Sequence, residues 1–146
     1  MIADTIQKQI QEAMKAKDEL RATTLRLLST AIHNAEIDKH EKLSEEEEIS
    51  LVQKEVKKRQ DAIELYKQGG ADEKVEREEA EMKVLKEFLP AEMAGDELEK
   101  VVDEAITKTG ASGMADMGKV IGMVKGQVGA KAQGSTIAQI VKSKLS

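Results

Sequence analysis

The chain has 146 residues, of which 35% are charged and 1% aromatic, and its formal net charge at pH 7 is -5. It contains no cysteine, which excludes disulfides, thiolate catalysis and cysteine zinc sites. No apolar run approaches the roughly 18 residues that a membrane span needs, and the start lacks the layout of a signal peptide. We therefore expect a cytoplasmic protein with an aliphatic core, and the regular apolar spacing favours helices over disorder.

Apolar residues that recur at helical spacing predict the first two helices. The first is amphipathic and is expected to end near Lys17. The second is expected to run from about Leu20 to about Asp38, and a polar link, Lys39–Leu43, follows it.

A long third helix and a fourth helix are predicted to form an antiparallel hairpin. Ser44 and Glu47 make a capping-box motif, in which each side chain accepts a hydrogen bond from the backbone N–H of the other residue. The glycines at positions 69 and 70 end the third helix. The fourth helix stops before Pro90, because proline cannot continue a helix.

Two charged residues, Arg59 and Glu78, interrupt the apolar stripes of this hairpin. Pairing the two arms about the glycines brings them within about one helical turn, roughly 5.4 Å along the axis. We expect a structural ion pair, with the aliphatic stem of Arg59 against the core, and a polar site between the helices is the alternative. The acidic runs Glu45–Glu48 and Glu76–Glu81 are expected on solvated faces and at helix starts.

The segment Pro90–Asp96 is the predicted linker to three shorter helices. The first of these, the fifth in the chain, is closed by Gly110, which suits the left-handed end of a helix. Ser112 and Ser135 are predicted to cap the sixth and seventh helices. No segment has a convincing strand pattern, so the predicted fold class is all-α.

The character of the chain changes near residue 110. Residues 1–109 hold 18 Lys/Arg and 27 Asp/Glu, a net of -9, whereas residues 110–146 hold five Lys and one Asp, a net of +4. Gly118, Gly122 and Gly126 recur every four residues in a predicted helix, where a glycine costs roughly 1 kcal/mol relative to alanine. Another helix or a ligand must approach this backbone, and we expect close packing against the last helix at one or more of the three.

The basic end of the chain also carries a candidate anion site. Lys119, Lys125 and Lys131 flank glycines, and the loop 129–134 ends in Gly134, directly before the expected helix start at Ser135. Free N–H groups and the positive end of the helix dipole favour phosphate at such a position. The alternative, which residue types alone slightly favour, is a set of ordinary helix caps, turn glycines and surface lysines.

No group of residues suits catalysis, a metal or a cofactor. His33, Glu36 and His40 would share one face of an uninterrupted helix, but bundle metal sites use Glu-x-x-His pairs, and neither histidine has that glutamate. Residues 113–119 match the first seven positions of a P-loop, yet Val120 occupies the eighth and no strand precedes it. Because no acid, base and nucleophile assemble, we expect no catalytic residue, no metal and no cofactor.

Four stretches spread over nearly the whole chain resemble the YqeY family. They are Leu25-Arg26-x-Leu28 with Ile32-x-Asn34-x-Glu36-Ile37; Lys58-Arg59-x2-Ala62-Ile63-Glu64; Glu79-Ala80-Glu81-Met82-x2-Leu85-x2-Phe88-Leu89-Pro90; and Asp116-Met-Gly118-Lys119-Val-Ile-Gly122. The fold of this family is shared with the tail region of GatB, a subunit of the tRNA-dependent amidotransferase that converts misacylated Glu-tRNA or Asp-tRNA. The resemblance implies a bundle of four helices, which we expect at residues 1–92, and a three-helix tail domain of GatB/YqeY type at residues 93–146.

The resemblance also implies association with tRNA, because the corresponding tail of the amidotransferase engages the tRNA body. The glutaminase and kinase parts of that enzyme have no counterpart here. We therefore expect a tRNA-binding or amidotransferase-associated module without its own active site, whose candidate contacts are Lys119, Lys125, Lys131, Gly118, Gly122, Gly134 and Ser135. Candidate protein partners are an amidotransferase and an aminoacyl-tRNA synthetase.

Two other functions remain open from the sequence. The chain could be an amidotransferase component, a carbon–nitrogen ligase with glutamine as amido-N-donor, that acts in trans. It could also be a protein-interaction scaffold that uses the acidic bundle. The sequence does not predict the oligomeric state.

Two positions depart from the family pattern. The basic loop of the family, Lys/Arg-Gly-Lys/Arg-Ala-Asp-Gly, reads GAKAQG at residues 129–134, so one basic position is lost and Gln133 replaces the aspartate. This departure weakens the expected anion binding. Ala94 stands where the family tends to have serine, and Asp96 is therefore the expected cap of the fifth helix.

Overall fold

The computed structural model describes all 146 residues and contains seven α-helices and no strand. The helices are α1 (Ile2–Lys15), α2 (Glu19–Lys39), α3 (Glu45–Gln68), α4 (Asp72–Lys86), α5 (Gly95–Thr109), α6 (Met117–Val128) and α7 (Gly134–Leu145). Short 3₁₀ turns at Met114–Asp116 and Gly129–Lys131 precede α6 and α7. The prediction of an all-α fold is confirmed. None of the helices has the length and apolar character that crossing a membrane requires.

The chain divides into two compact units, Met1–Leu89 and Pro90–Ser146. The first contains α1 to α4 and the second α5 to α7. Each unit has its own aliphatic core, as the near absence of aromatic residues requires. The assignment of residues 1–92 and 93–146 to two separately folded bundles stays a prediction.

In the first unit α2 lies against the other three helices, and its inner face carries Leu25, Leu28 and Ile32, which are at most 3% exposed. The core is completed by apolar side chains from α1, α3 and α4, chiefly Ile6, Ile10, Val52, Val56 and Leu85. In the second unit the core consists of aliphatic side chains from its three helices: Leu98, Val102, Ala105, Val120, Val124, Val128, Ile137 and Val141.

Two helix ends that the sequence predicts are present in the structure. The Ser44 hydroxyl accepts a hydrogen bond from the Glu47 N–H at 3.2 Å, and the Glu47 carboxylate accepts one from the Ser44 N–H at 2.7 Å. This capping box begins α3 where the motif predicts. Gly110, with a φ of 67°, closes α5 in the left-handed conformation that glycine adopts without strain.

The three predicted caps after residue 90 are wrong. The helix α5 begins at Gly95 with Ala94 in the cap position, so Asp96 lies inside the first turn. Ser112 precedes a 3₁₀ turn, and its N–H donates a hydrogen bond to the Asp116 carboxylate at 3.3 Å. Ser135 is the second residue of α7, two positions after the cap residue Gln133, so its hydroxyl does not cap the helix.

Glu48 lies in the core of the first unit, although it belongs to an acidic run that was expected to be solvated. Its side chain is 0% exposed. One carboxylate oxygen accepts a hydrogen bond from the Ile2 N–H at 3.2 Å, and the other accepts one from the Ala3 N–H at 2.7 Å. These N–H groups belong to the first turn of α1 and have no acceptor within that helix. Glu48 therefore caps α1 from α3, and the expectation that all of Glu45–Glu48 is solvated is wrong.

Arg59 forms its ion pair across the α3–α4 hairpin with Glu81, so the predicted pair with Glu78 is wrong. The Arg59 Nε lies 3.4 Å from the Glu81 carboxylate, and these side chains are only 11% and 10% exposed. Arg59 also lies 3.5 Å from Glu55, and Glu81 lies 3.3 Å from Arg77. The register follows from the turn: Arg59 and Glu81 are each 11 residues from position 70, whose φ of 70° reverses the chain.

Replacing Glu81 by glutamine should lower the free energy of unfolding by about 2 kcal/mol, because Arg59 would lose its cross-helix carboxylate while its Nε stays buried. Replacing Glu78 by glutamine is the matched control, since Glu78 makes no ion pair, and it should change stability by less than about 0.5 kcal/mol. Urea denaturation of both variants measures the difference. Equal effects of the two substitutions would contradict the observed register.

Candidate nucleic-acid interface

The outer face of α6 is a strip of bare backbone. Gly118, Gly122 and Gly126 are exposed, and a Cβ built on any of them meets no atom within 4 Å. The opposite side of the helix carries Val120, Val124 and Val128, which are at most 4% exposed and pack in the core of the second unit. The expectation that a neighbouring helix packs closely against one of these glycines is therefore wrong, because α5 and α7 cover the valine side. We call the three-glycine surface the glycine strip.

Two lysines border the glycine strip. At 100° per residue the three glycines span an arc of about 80°, with Lys125 about 20° beyond one edge and Lys119 about 20° beyond the other. From Gly118 to Gly126 the strip is about 12 Å long. Both lysines are exposed, and neither makes an ion pair with a carboxylate. The strip is therefore an accessible backbone surface between two ammonium groups that no acidic side chain neutralises.

Lys125 also reaches the beginning of α7. A Cβ built on Gly134 would lie 3.2 Å from both the Cε and the Nζ of Lys125, so the ammonium group lies over the first residue of that helix. Gln133 occupies the cap position and its side chain makes no capping hydrogen bond. The ammonium group and the positive end of the helix dipole thus lie side by side without an anion between them, an arrangement that favours a bound phosphate.

The other predicted contacts are placed less closely together. Lys131 is exposed and lies in the 3₁₀ turn before α7, and its carbonyl accepts a hydrogen bond from the Met93 N–H at 2.8 Å. Ser135 is exposed in the first turn of α7. Lys144, in contrast, pairs with Asp103 at 2.9 Å, and this hydrogen bond raises the pKa of Lys144. Its charge is already balanced within the second unit.

The sequence did not reveal the contact between Lys125 and Gly134. The two residues are nine positions apart and are separated by a 3₁₀ turn, so only the path of the chain brings them together. The glycine spacing was visible, and so was the valine stripe at Val120, Val124 and Val128. Placing the glycines opposite these valines would have identified the strip as an outer surface.

The histidine cluster does not form a metal site. His33 and Glu36 line a shallow groove of about 160 Å³ beside α1, together with Gln7 and Ser29, which share a hydrogen bond of 3.1 Å. His40 is the left-handed residue that ends α2, with a φ of 62°. No group of three or more potential ligands converges anywhere in the chain.

Comparison with known proteins gives a match over nearly the whole chain. The YqeY family, described as Yqey-like protein, matches residues 3–145. Among curated proteins, several yeast proteins named altered inheritance of mitochondria protein 41, mitochondrial, are similar to this chain. The protein of Lachancea thermotolerans is 39% identical over 85 residues, which cover 58% of this chain and 46% of the relative. The protein of Vanderwaltozyma polyspora is 30% identical over 120 residues, which cover 77% of this chain and 64% of the relative.

A third such relative, from Saccharomyces cerevisiae strain YJM789, is 30% identical over 108 residues, which cover 69% of this chain and 58% of the relative. The chain thus spans less than two thirds of the length of the curated relatives it matches. Their names place those relatives in mitochondria and state no ligand or activity.

Proposed function

This chain belongs to the YqeY family, and on that premise we propose that it binds the phosphate backbone of tRNA with the outer face of α6, as a module without an active site of its own. The observation that carries the proposal is the open glycine strip between Lys119 and Lys125. Helical glycines with nothing packed against them lower the stability of the folded chain. Their presence therefore indicates a gain in the binding of another molecule. Close approach of a nucleic-acid backbone is such a gain.

The electrostatics support an anion at this face. The chain is acidic overall, yet residues 110–146 carry a net charge of +4, and the Lys125 ammonium group lies beside the uncapped start of α7. A phosphate there would accept hydrogen bonds from backbone N–H groups and would neutralise the ammonium group. Lys119 and Lys131 would add charge-assisted contacts to neighbouring phosphates.

The composition of the second unit favours contacts to backbone rather than to bases. Tyr66 and Phe88, the chain's Tyr and Phe, both precede residue 90, and every arginine lies between positions 21 and 77. The second unit therefore has no aromatic side chain on which bases could stack and no guanidinium group for bidentate recognition of guanine. We accordingly propose that different tRNAs bind with similar affinity.

The location and the protein partners of this chain remain predictions. The relatives are named as mitochondrial proteins, whereas the sequence led us to expect a cytoplasmic protein. An amidotransferase or an aminoacyl-tRNA synthetase stays a proposed partner, because a module that binds tRNA without sequence readout needs another protein to select the tRNA.

Replacing both Gly122 and Gly126 by alanine should stabilise the protein and weaken its binding to tRNA. The added Cβ atoms meet nothing within 4 Å, so each substitution should raise the free energy of unfolding by about 0.5–1 kcal/mol. The two methyl groups hold a nucleic-acid backbone away from α6, and we expect affinity to fall about tenfold, or about 1.4 kcal/mol. Urea denaturation and fluorescence anisotropy with labelled tRNA measure the two effects.

Gln127→Ala is the matched control for this experiment. Gln127 is exposed on α6, about 100° around the helix from the nearest strip glycine, and alanine there should leave tRNA affinity unchanged. A glycine double variant that is more stable than the parent and binds tRNA equally well would show that nothing approaches the strip.

A further inference from the structure

A second surface without a partner lies on α2, in the first unit. Thr23, Leu27, Thr30, Asn34 and Ile37 are all exposed, none is charged, and they follow one another at spacings of four and three residues. Leu27 and Ile37 are 53% and 55% exposed, which places them among the most exposed large apolar residues of the chain. We call these five residues the α2 seam.

The α2 seam has the spacing of a helix–helix interface. Alternating steps of four and three residues keep side chains on one line of a helix that packs along another helix, as in a coiled coil. The core residues Leu25 and Ile32 lie on the opposite side of α2, so the seam is not an extension of the core of the first unit. The seam spans 15 residues, from Thr23 to Ile37, and is about 21 Å long, which matches four turns of a partner helix.

One edge of the seam carries one cation and two histidines. Arg26, His33 and His40 follow it at intervals of seven residues, and all three are exposed. The Arg26 guanidinium contacts the Met14 Sδ at 3.0 Å and makes no ion pair. Arg26 is the one arginine of the four without an ion pair, since Arg21, Arg59 and Arg77 each pair with a glutamate. A partner with carboxylates along this edge would complement it.

A second copy of the chain fits the seam poorly. In an antiparallel pair of α2 helices centred on Thr30, Arg26 would face His33 of the other copy. In a parallel pair it would face Ala31 of the other copy. Neither arrangement gives the Arg26 guanidinium a carboxylate partner. The seam also covers only about 200–300 Å² per chain, well below the roughly 800 Å² per partner of a stable dimer. The surface suits a weak and reversible contact.

We propose that the α2 seam docks an amphipathic helix of another protein, with apolar residues over Leu27 and Ile37 and carboxylates along the edge of Arg26 and His33. Such a contact uses the helix-to-helix recognition by which one apolar face covers another. It lies in the first unit, uses no residue of the glycine strip, and does not depend on tRNA binding. Basic helices and second copies of this chain are excluded partners under this proposal.

The test uses two synthetic helical peptides of about 21 residues, with leucine at heptad positions a and d and either glutamate or lysine at positions e and g. Nuclear magnetic resonance of the ¹⁵N-labelled chain of 146 residues maps where each peptide binds. We expect the glutamate peptide to shift the amide signals of residues 23–37 and to bind that segment at least tenfold more tightly than the lysine peptide. This preference would oppose the acidity of the chain, which by itself favours the lysine peptide.

Variants assign the binding to the seam. Leu27→Asp combined with Ile37→Asp should weaken the glutamate peptide at least tenfold, whereas Leu65→Asp, at a residue that is 67% exposed on α3, should not. Arg26→Glu should weaken the glutamate peptide and strengthen the lysine peptide, each about fivefold. These positions are exposed, and circular dichroism verifies that each variant stays folded.

The proposal is overturned if the glutamate peptide fails to bind, if its shifts map outside residues 23–37, or if Arg26→Glu leaves the peptide preference unchanged. Sedimentation gives an independent outcome. Self-association of the parent that the Leu27→Asp, Ile37→Asp variant abolishes would identify the seam as a contact between copies, and would also overturn it.

Discussion

Replacing Glu48 by alanine is expected to lower the free energy of unfolding by about 3–4 kcal/mol, a large part of the stability of a unit of this size. The substitution removes a buried acceptor from the N–H groups of Ile2 and Ala3, and it leaves a cavity beside the core. Glu48→Gln retains the shape but points an amide NH₂ group at one of the two donors, so we expect it to cost about 2 kcal/mol. Urea denaturation measures both values.

Glu46→Ala is the control for the acidic run, because Glu46 is exposed and makes no ion pair, and it should cost less than about 0.5 kcal/mol. Hydrogen exchange adds a positional readout. In Glu48→Gln the amides at the start of α1 should exchange faster than in the parent, while those in the middle of α3 should not. A Glu48→Ala variant as stable as Glu46→Ala would mean that Glu48 does not cap α1.

Replacing Lys119, Lys125 and Lys131 by alanine together is expected to lower the affinity for tRNA at least about 100-fold at 0.1 M salt. Each lysine that contacts a phosphate contributes somewhat less than one unit to the slope of log K against log salt concentration, so the slope should become shallower by about two to three units. The loss should be similar for different tRNAs, because the second unit has no aromatic side chain for base stacking and no arginine for recognition of guanine. Fluorescence anisotropy over a salt series measures the slope.

A matched triple variant separates local charge from net charge. Lys8, Lys15 and Lys54 are exposed in the first unit, and replacing all three by alanine gives the same net charge, -5 - 3 = -8. This variant should bind tRNA within about twofold of the parent at 0.1 M salt if binding is local to α6. Equal losses in the two triple variants would show that only overall charge matters, and unchanged binding in both would place the tRNA elsewhere.

The features that could be predicted from the sequence are those that depend on residues close together along the chain. The capping box at Ser44 and the left-handed end of α5 at Gly110 are local signals, and both hold in the structure. The all-α class follows from the 3.6-residue period of the apolar positions, which is also local. The family could also be predicted from the sequence, because the matching stretches extend over nearly the whole chain.

Features that depend on distant parts of the chain were not predictable in the same way. Glu48 resembles its acidic neighbours, and only the path of the chain brings the start of α1, 45 residues earlier, against it. The partner of Arg59 depended on the centre of the turn, and a shift of three residues along α4 separates the predicted Glu78 from the observed Glu81.

In the candidate site, too, local features were predictable and features that depend on packing were not. The three lysines and the glycine spacing were visible in the sequence, but the expectation that a helix covers those glycines was wrong, because the second unit has only two other helices and both pack on the valine side of α6. The cap of α7 was misplaced by two residues, since Ser135 is a strong cap former and Gln133 is a weak one.

The central claim is that this chain binds tRNA through phosphate contacts, and its most direct test is the affinity of the parent protein for a labelled tRNA at about 50 and 200 mM salt. Three lysine contacts predict a slope between about -2.1 and -2.7, so the association constant should fall about 20- to 40-fold between the two conditions. No detectable binding at the lower salt concentration, or an affinity that does not change with salt, would contradict the claim.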